Sequence, residues 1–161
     1  MAEITAATVK ALREKTSLPM MECKQALQEA NGDEAAAIEL LRKKGKKTMD
    51  SRGDRETSFG RVACFASVEK GVGAMIELVC ESDPVAKSDE FIAMANDMAK
   101  QLALGPGAGT AEGLLSQPSP SKAGQTLGEV LLDATNRIRE VMKITRLVRI
   151  DSPCGAYAHF T

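Results

Sequence analysis

LREKTSLPMMECKQAL, at residues 12–27, contains the end of one predicted helix, a turn, and the start of a second helix. The first helix is predicted to begin at Thr5, whose hydroxyl suits a helix N-cap, and its apolar residues recur at helical spacing. Pro19 ends this helix, because the residue before a proline avoids the helical conformation. The second helix then begins at Met20.

A third helix completes a small N-terminal module. Asp33 is predicted to cap this helix and Gly45 to end it. The following segment, residues 46–57, is rich in charged side chains and almost without apolar ones, which is typical of a solvated connector or an exposed helix extension. We therefore predict a three-helix module at residues 1–45 and a charged linker at residues 46–57.

The rest of the chain, residues 58–161, is predicted to begin with a β-hairpin. Two apolar runs, at residues 60–67 and 72–80, are separated by the short turn Glu69-Lys70-Gly71. Runs of this length around a glycine-containing turn indicate two antiparallel strands.

Helices and one further strand are predicted after the hairpin. Ser88 is expected to cap a helix, and a long Gly-, Pro- and Ser-rich loop follows at residues 104–125 with one helical turn near residues 111–115. A short strand is predicted at Arg146–Ile150. One more amphipathic helix is marked by apolar residues at helical spacing: Leu127, Val130, Leu131, Ala134, Ile138 and Val141. The predicted class is α+β, with a small antiparallel sheet packed with helices.

Composition excludes several classes of function. The 161 residues carry a formal net charge of -1 with a pI near 5.9, so no overall field attracts nucleic acid or an anionic membrane surface. The four cysteines form no CxxC pair, and His159 is the only histidine. We therefore expect no metal site, no cofactor, no membrane partner and a reducing, cytoplasmic setting.

No set of residues indicates catalysis, and we expect a protein that is not an enzyme. Acid–base or nucleophilic chemistry needs a base beside a nucleophile. Glu81 and Asp83 could form a carboxylate pair, although a polar strand-to-helix loop is the simpler interpretation. The glycine-rich segment 105–110 lacks the Lys-Ser/Thr pair of a phosphate-binding loop. The basic run 42–47 could contact phosphates, but the helix dipole also favours cations at a helix C-terminus.

Two adjacent methionines, Met20 and Met21, open the second helix. Neighbouring positions on a helix point about 100° apart, so we expect at least one of them in the small core. The outward one suits a contact with another protein, with Arg13 and Lys24 as a charged rim. A surface methionine without function is the alternative interpretation.

Two motifs in the chain resemble the signatures of the bacterial elongation factor Ts family. The first is Leu12-Arg13-x-x-Thr16 followed by Met20-Met21-x-Cys23-Lys24-x-Ala26-Leu27. The second, ELVCESDPVAK at residues 77–87, is similar to the family's ELNCETDFVAK. The resemblance extends from residue 2 to the end of the chain.

The resemblance implies a guanine-nucleotide exchange factor that binds elongation factor Tu, in its GDP-bound and nucleotide-free forms, during translation elongation. It also implies a ubiquitin-associated-like fold for the three-helix module. Docking on the partner's nucleotide-binding domain would fall to Arg13, Met20, Met21 and Lys24. A loop entering beside the partner's Mg²⁺ and phosphate site would contain Ser82, Asp83, Pro84 and Val85, and His159 would also reach the partner.

The chain departs from the family pattern in two places. Pro84 stands where the family has an aromatic ring, and a proline there is expected to push Asp83 toward an extended conformation and to make a weaker wedge. The family usually continues beyond Tyr157-Ala158-His159, so we expect either a fragment or a shortened form of the family architecture. An unpaired sheet edge near the C-terminus would be the structural sign of truncation. The rival hypothesis is an interaction module that binds elongation factor Tu, or another protein, without ejecting nucleotide.

Overall fold

A computed structural model describes residues 4–157, except for the side chain of residue 49. Its contacts divide the chain into two compact units. The first unit consists of Met1–Asp54 with Leu132–Arg139, and the second of Arg55–Leu131 with Glu140–Thr161. Residues 132–139, which the sequence placed in the core domain, are thus grouped with the N-terminal helices.

The first unit begins with two helices as predicted. Helix α1 spans Ala6–Thr16, and the Thr5 side chain accepts a hydrogen bond from the Thr8 backbone N–H at 3.2 Å. Ser17 ends the helix in the left-handed conformation, with φ of 55°, and its N–H donates to the Arg13 carbonyl at 2.7 Å. Helix α2 spans Met20–Glu29. A serine thus occupies the left-handed position at the end of α1, where glycine is the usual residue.

The third helix, α3, is longer than predicted and spans Glu34–Asp50. Asp33 caps it as expected, because its Oδ1 accepts from the Ala36 N–H at 2.9 Å. The prediction that Gly45 ends this helix is wrong. A Cβ at residue 45 would overlap the side-chain amide of Asn136, so the glycine permits a close approach instead of a helix stop.

A separate hydrophobic core holds the three helices together. Eight buried residues form this core: Val9, Leu12, Leu18, Cys23, Ala26, Leu27, Ala37 and Leu41. The three-helix module is confirmed as a packed arrangement, while its likeness to a ubiquitin-associated domain and its status as an independent docking module stay predictions.

The second unit is built on a three-stranded antiparallel sheet in the order β1-β2-β3. Strands β1 (Phe59–Ser67) and β2 (Val72–Cys80) form the predicted hairpin, in which Ala63 lies opposite Ile76. Strand β3 spans Lys143–Ile150, three residues more than predicted, and pairs with β2 across a bulge at Glu77/Leu78. β2 is therefore the central strand.

Four helices complete the described chain: α4 (Asp83–Ala86), α5 (Asp89–Leu104), α6 (Ala111–Leu115) and α7 (Leu127–Ile138). Helix α5 begins after the predicted cap, Ser88, and α6 is the predicted turn in the long loop. The prediction that Val141 belongs to α7 is wrong. The helix ends at Ile138 because Arg139 adopts a left-handed backbone with φ of 69°.

One face of the sheet packs on α5. Along β2 the buried residues alternate, and Ala74, Ile76, Leu78 and Cys80 face the helix. Helix α5 contributes a matching apolar stripe: Phe91, Met94, Ala95, Met98, Ala99, Leu102 and Ala103. This arrangement confirms the α+β class.

Within residues 4–157, no helix combines the length and the apolar composition that crossing a bilayer requires.

Arg149 on β3 anchors the end of α5. Its Nη1 donates to the carbonyl of Gly105 at 2.8 Å and to that of Leu102 at 3.4 Å, while its Nε binds Asp151 at 2.7 Å. The last carbonyls of a helix have no partner within the helix, so the half-buried guanidinium of Arg149 satisfies them.

We expect Arg149→Met to lower the free energy of unfolding by about 1.5–3 kcal/mol, the usual contribution of hydrogen bonds to a charged group. Urea unfolding followed by circular dichroism measures this change. Lys143→Met, on the same strand at an exposed position, is the matched control and should cost less. Equal losses in the two variants would contradict the anchoring role.

Acid unfolding is expected to report on Glu77. Hydrogen bonds from the Arg146 guanidinium, and next from the Thr145 hydroxyl, lower the pKa of Glu77 from 4.5 to about 2. Since the folded carboxyl binds its proton less readily than the unfolded one, its stabilising contribution is complete above pH 4.5 and is lost as the pH falls toward 2.

We therefore expect Glu77→Gln to flatten the decline in unfolding free energy between pH 4.5 and pH 2, as measured by urea titration at each pH. The exposed Glu112 provides a control, because Glu112→Gln should leave the decline as in the parent. A parental decline in Glu77→Gln would show that this carboxylate does not stabilise the fold through its folded-state pKa.

Candidate protein-binding surfaces

The turn between α1 and α2 is fixed from the core side. Cys23 is fully buried, its N–H donates to the Pro19 carbonyl at 3.1 Å, and its sulfur lies 3.6 Å from the Thr16 hydroxyl. Leu18 is also buried, with 7% of its surface exposed. The chain that precedes Met20 is thus held in one conformation by the small core.

Both methionines at this turn face outward. Met20 is 45% exposed and Met21 63% exposed, so the expectation that at least one belongs to the core is wrong. Leu18 and Cys23 already fill the inward positions on either side of them, and the methionines are left on the outer side of the first turn of α2. The apolar surface at this turn is larger than the sequence suggested.

Arg13 and Lys24 are exposed in the same unit as the two methionines. Neighbouring cations are paired: Lys10 lies 3.8 Å from Glu14, and the Lys15 ammonium binds the Glu34 carboxylate. Among residues 4–157, the structure gives neither Arg13 nor Lys24 an ion-pair partner. We name the four exposed side chains Arg13, Met20, Met21 and Lys24 the helical surface.

The basic run at residues 42–47 is less suited to binding phosphate than its sequence indicates. Arg42 makes a two-pronged contact with Asp133, at 3.0 Å from Nε and 2.9 Å from Nη2. Lys43 pairs with Glu39 at 2.8 Å and Lys44 with Glu29 at 2.6 Å. Since three of the five cations in the run already bind carboxylates, the run has fewer cations for phosphate binding than its sequence indicates.

A second exposed turn follows the end of the central strand of the second unit. Ser82 is extended, with φ of -135° and ψ of 150°, and Asp83 begins the short helix α4. The expectation that Asp83 itself is extended is wrong. A proline in the first helical turn loses no helix hydrogen bond, so Pro84 is accommodated inside α4 and the extended residue lies one position earlier.

The side chains of this second turn differ in exposure. Pro84 is exposed, Ser82 and Val85 are half-buried, and Ala86 is buried beneath them. The Asp83 carboxylate is 48% exposed and accepts from the Lys87 ammonium at 2.8 Å. We name Ser82, Asp83, Pro84 and Val85 the strand-end turn; it presents one acidic group beside one apolar ring.

Glu81 does not form a carboxylate pair with Asp83. Its Oε1 accepts from the Val141 backbone N–H at 2.7 Å, and its Oε2 lies 3.2 Å from Nη1 of Arg55. With these two donors Glu81 is a structural acceptor, and Asp83 faces Lys87 instead. The acid–base interpretation of this pair therefore has no geometric basis.

Sequence reasoning missed Glu140, which also contacts the strand-end turn. Its carboxylate accepts from both the N–H and the hydroxyl of Ser82, at 3.1 and 2.5 Å. The two residues are 58 positions apart, and the sequence around Glu140 contains no motif that would have indicated the contact.

The structure groups the predicted binding residues in two sets. The helical surface belongs to the first unit and the strand-end turn to the second. His159, the remaining predicted contact, lies outside the described residues. The partner-binding role of all of these residues stays a prediction.

Fold and surfaces together define an α+β protein of two units, each of which presents an exposed turn held by its own core. Comparison with protein-family models gives no match. Curated relatives do match along the chain. Elongation factor Ts of Micrococcus luteus is 44% identical over 100% of this chain and 56% of its own length.

Two further relatives of the same name agree with this comparison. Elongation factor Ts of Kineococcus radiotolerans is 44% identical over 100% of this chain and 57% of its own length. That of Methylococcus capsulatus is 40% identical over 98% of this chain and 53% of its own length. The chain belongs to the elongation factor Ts family, and it spans a little over half the length of these relatives.

Proposed function

We propose that this protein is a guanine-nucleotide exchange factor for elongation factor Tu in translation elongation, a role that would place it in the cytoplasm. The observation that carries the proposal is the strand-end turn: an acidic group and a rigid ring exposed side by side at the end of the central strand, in a chain related throughout to elongation factor Ts. No bond of the nucleotide is broken in this role, so the protein is not an enzyme.

The helical surface supplies the first contact in this proposal. Met20 and Met21 would be covered by the nucleotide-binding domain of elongation factor Tu, since flexible apolar side chains adapt well to a partner's surface. Arg13 and Lys24 would surround them as a charged rim. An apolar centre with a polar rim is the usual composition of a protein interface.

The strand-end turn supplies the second contact. Placed beside the Mg²⁺ and phosphate site and released from its ion pair with Lys87, the Asp83 carboxylate would add negative charge next to bound phosphate and weaken the nucleotide's hold. Exchange then follows from coupling: a factor that binds the nucleotide-free partner more tightly weakens nucleotide binding by the same factor. Every 1.4 kcal/mol of this coupling is tenfold in affinity.

Pro84 favours a second candidate function, binding without ejection of nucleotide. A proline ring fills less space than an aromatic wedge, and losing a buried aromatic anchor commonly costs about 2 kcal/mol or more at an interface. A chain that docks through its helical surface and disturbs the nucleotide site only weakly would act as an interaction module.

One measurement separates the two functions. Fluorescent GDP is released from purified elongation factor Tu with and without this protein, and binding is measured in parallel by calorimetry. Acceleration supports the exchange factor, and binding without acceleration supports the interaction module. A chain that neither binds nor accelerates would refute both.

We expect a Met20→Ala, Met21→Ala double variant to bind elongation factor Tu at least about tenfold more weakly, because two apolar contacts at the centre of the helical surface are removed. Its unfolding free energy should change by no more than about 0.5 kcal/mol per site, since both side chains are exposed. Val68→Ala, at a residue 68% exposed in the hairpin turn, is the matched control and should bind as the parent does. Unchanged affinity in the double variant would remove these methionines from the interface.

We expect Pro84→Phe to increase the rate of GDP release, because it restores an aromatic wedge at the strand-end turn. The rate is measured at saturating concentrations of the variant and of the parent, so that a change in affinity does not contribute. Val85→Phe, one residue further along α4, is the control for adding a ring at a half-buried position. Parental release rates with Pro84→Phe would contradict the wedge role of this position.

A further inference from the structure

Two segments that are distant in sequence hold each other at the start of the strand-end turn. The Val141 N–H donates to Oε1 of Glu81 at 2.7 Å, and the Ser82 N–H donates to Oε2 of Glu140 at 3.1 Å. Each segment thus gives one carboxylate to a backbone N–H of the other. We name this set of four residues the carboxylate clasp.

Glu140 makes the more extensive of these contacts. Its second oxygen, Oε1, accepts the Ser82 hydroxyl at 2.5 Å, so one carboxylate holds both the backbone and the side chain of the same residue. Hydrogen bonds to an ionised carboxylate are roughly twice as strong as neutral ones. Both Ser82 and Glu140 are half-buried, which limits competition from water.

The clasp changes what Ser82 does for the helix that follows. Serine at an N-cap usually accepts a hydrogen bond from the first turn of its helix. Here Ser82 makes no such bond to α4, and its hydroxyl donates to Glu140 instead. The residue that precedes α4 is therefore held by a contact outside that helix.

We propose that Glu140 is a positioning residue for nucleotide release: it fixes Ser82 so that Asp83 and Pro84 project in one direction from the end of β2. The inference rests on the proposed exchange function. Without this contact Ser82 would have to be ordered when the partner binds, at a cost in conformational entropy. Glu140 already orders Ser82 in the folded chain, before the partner binds.

The test uses the full chain in four variants. Glu140→Ala removes both acceptors, Ser82→Ala removes only the hydroxyl, Ser82→Thr keeps a hydroxyl, and Glu112→Ala removes an exposed carboxylate from the same unit as a control. Two quantities are measured: the GDP release rate as a function of factor concentration, and the hydrogen exchange of the amides in residues 82–87 of the free chain.

We expect Glu140→Ala to lower the maximal release rate about tenfold or more while the half-saturating concentration changes by less than about threefold, because the helical surface still docks. Ser82→Ala should also lower the maximal release rate, because it removes the hydroxyl that binds Glu140. Ser82→Thr, which keeps a hydroxyl, should release GDP at the parental rate. The Ser82 amide should exchange faster in Glu140→Ala than in the parent, and Glu112→Ala should leave all of these readouts unchanged.

Two outcomes would overturn the inference. One is a parental release rate in both Glu140→Ala and Ser82→Ala. The other is a rate that falls only in proportion to the loss of folded protein, with no rescue by Ser82→Thr, which would make the clasp a contribution to stability alone. If Glu140→Ala does not fold, the comparison of Ser82→Ala with Ser82→Thr tests the inference.

Failure of the proposed function is distinguishable from failure of the inference. A parent chain that does not accelerate GDP release refutes the exchange function and, with it, the role of Glu140 in release. Faster amide exchange at Ser82 in Glu140→Ala would still show that Glu140 holds the Ser82 backbone. Parental protection at Ser82 combined with active exchange would refute the positioning role and leave the exchange function standing.

Discussion

Burial of α5 against one face of the sheet is the constraint on which the second unit depends. A hairpin alone is marginally stable in water, and three strands with a covered apolar face are needed for an independent fold. The alternating residues of β2, with Ile76 and Leu78 at their centre, meet the apolar stripe of α5. Because β2 is the central strand, this packing also fixes the point at which it ends and the strand-end turn begins.

The sequence predicted those parts of the fold whose signals are local. Caps such as Thr5, Asp33 and Ser88, the glycine turn of the hairpin and the helical spacing of α5 lie within a few residues of the elements they define. The longer α3 and the end of α7 were not predictable in this way. Gly45 is explained by a neighbour 91 positions away, and the left-handed Arg139 has no sequence signal, since glycine is the usual residue for that conformation.

The candidate site was likewise predictable where its signals are local and not where they depend on tertiary contacts. The motifs identified the residues of the helical surface and of the strand-end turn, while their exposure and support depend on the tertiary structure. Met20 and Met21 both face outward only because Leu18 and Cys23 occupy the core positions beside them. The support of Ser82 by Glu140 links residues that no pattern of spacing connects.

Each of the two surfaces is small. A stable protein interface commonly covers about 800 Å² on each partner, which a turn of four residues does not provide. Under the proposed function, two such turns in one chain would reach a useful affinity together, since the second contact would form within an already bound complex. Specificity for one partner would then depend on both contacts being present on it.

The contact between Gly45 and Asn136 has a consequence for how this chain tolerates change. Glycine in a helix interior costs about 1 kcal/mol relative to alanine, so an exposed glycine on a helix is a position where substitution normally stabilises. At residue 45 every other amino acid would place a Cβ on the amide of Asn136. A substitution at residue 45 therefore requires the Asn136 side chain to turn away, and the gain from helix propensity is offset by the loss of this packing.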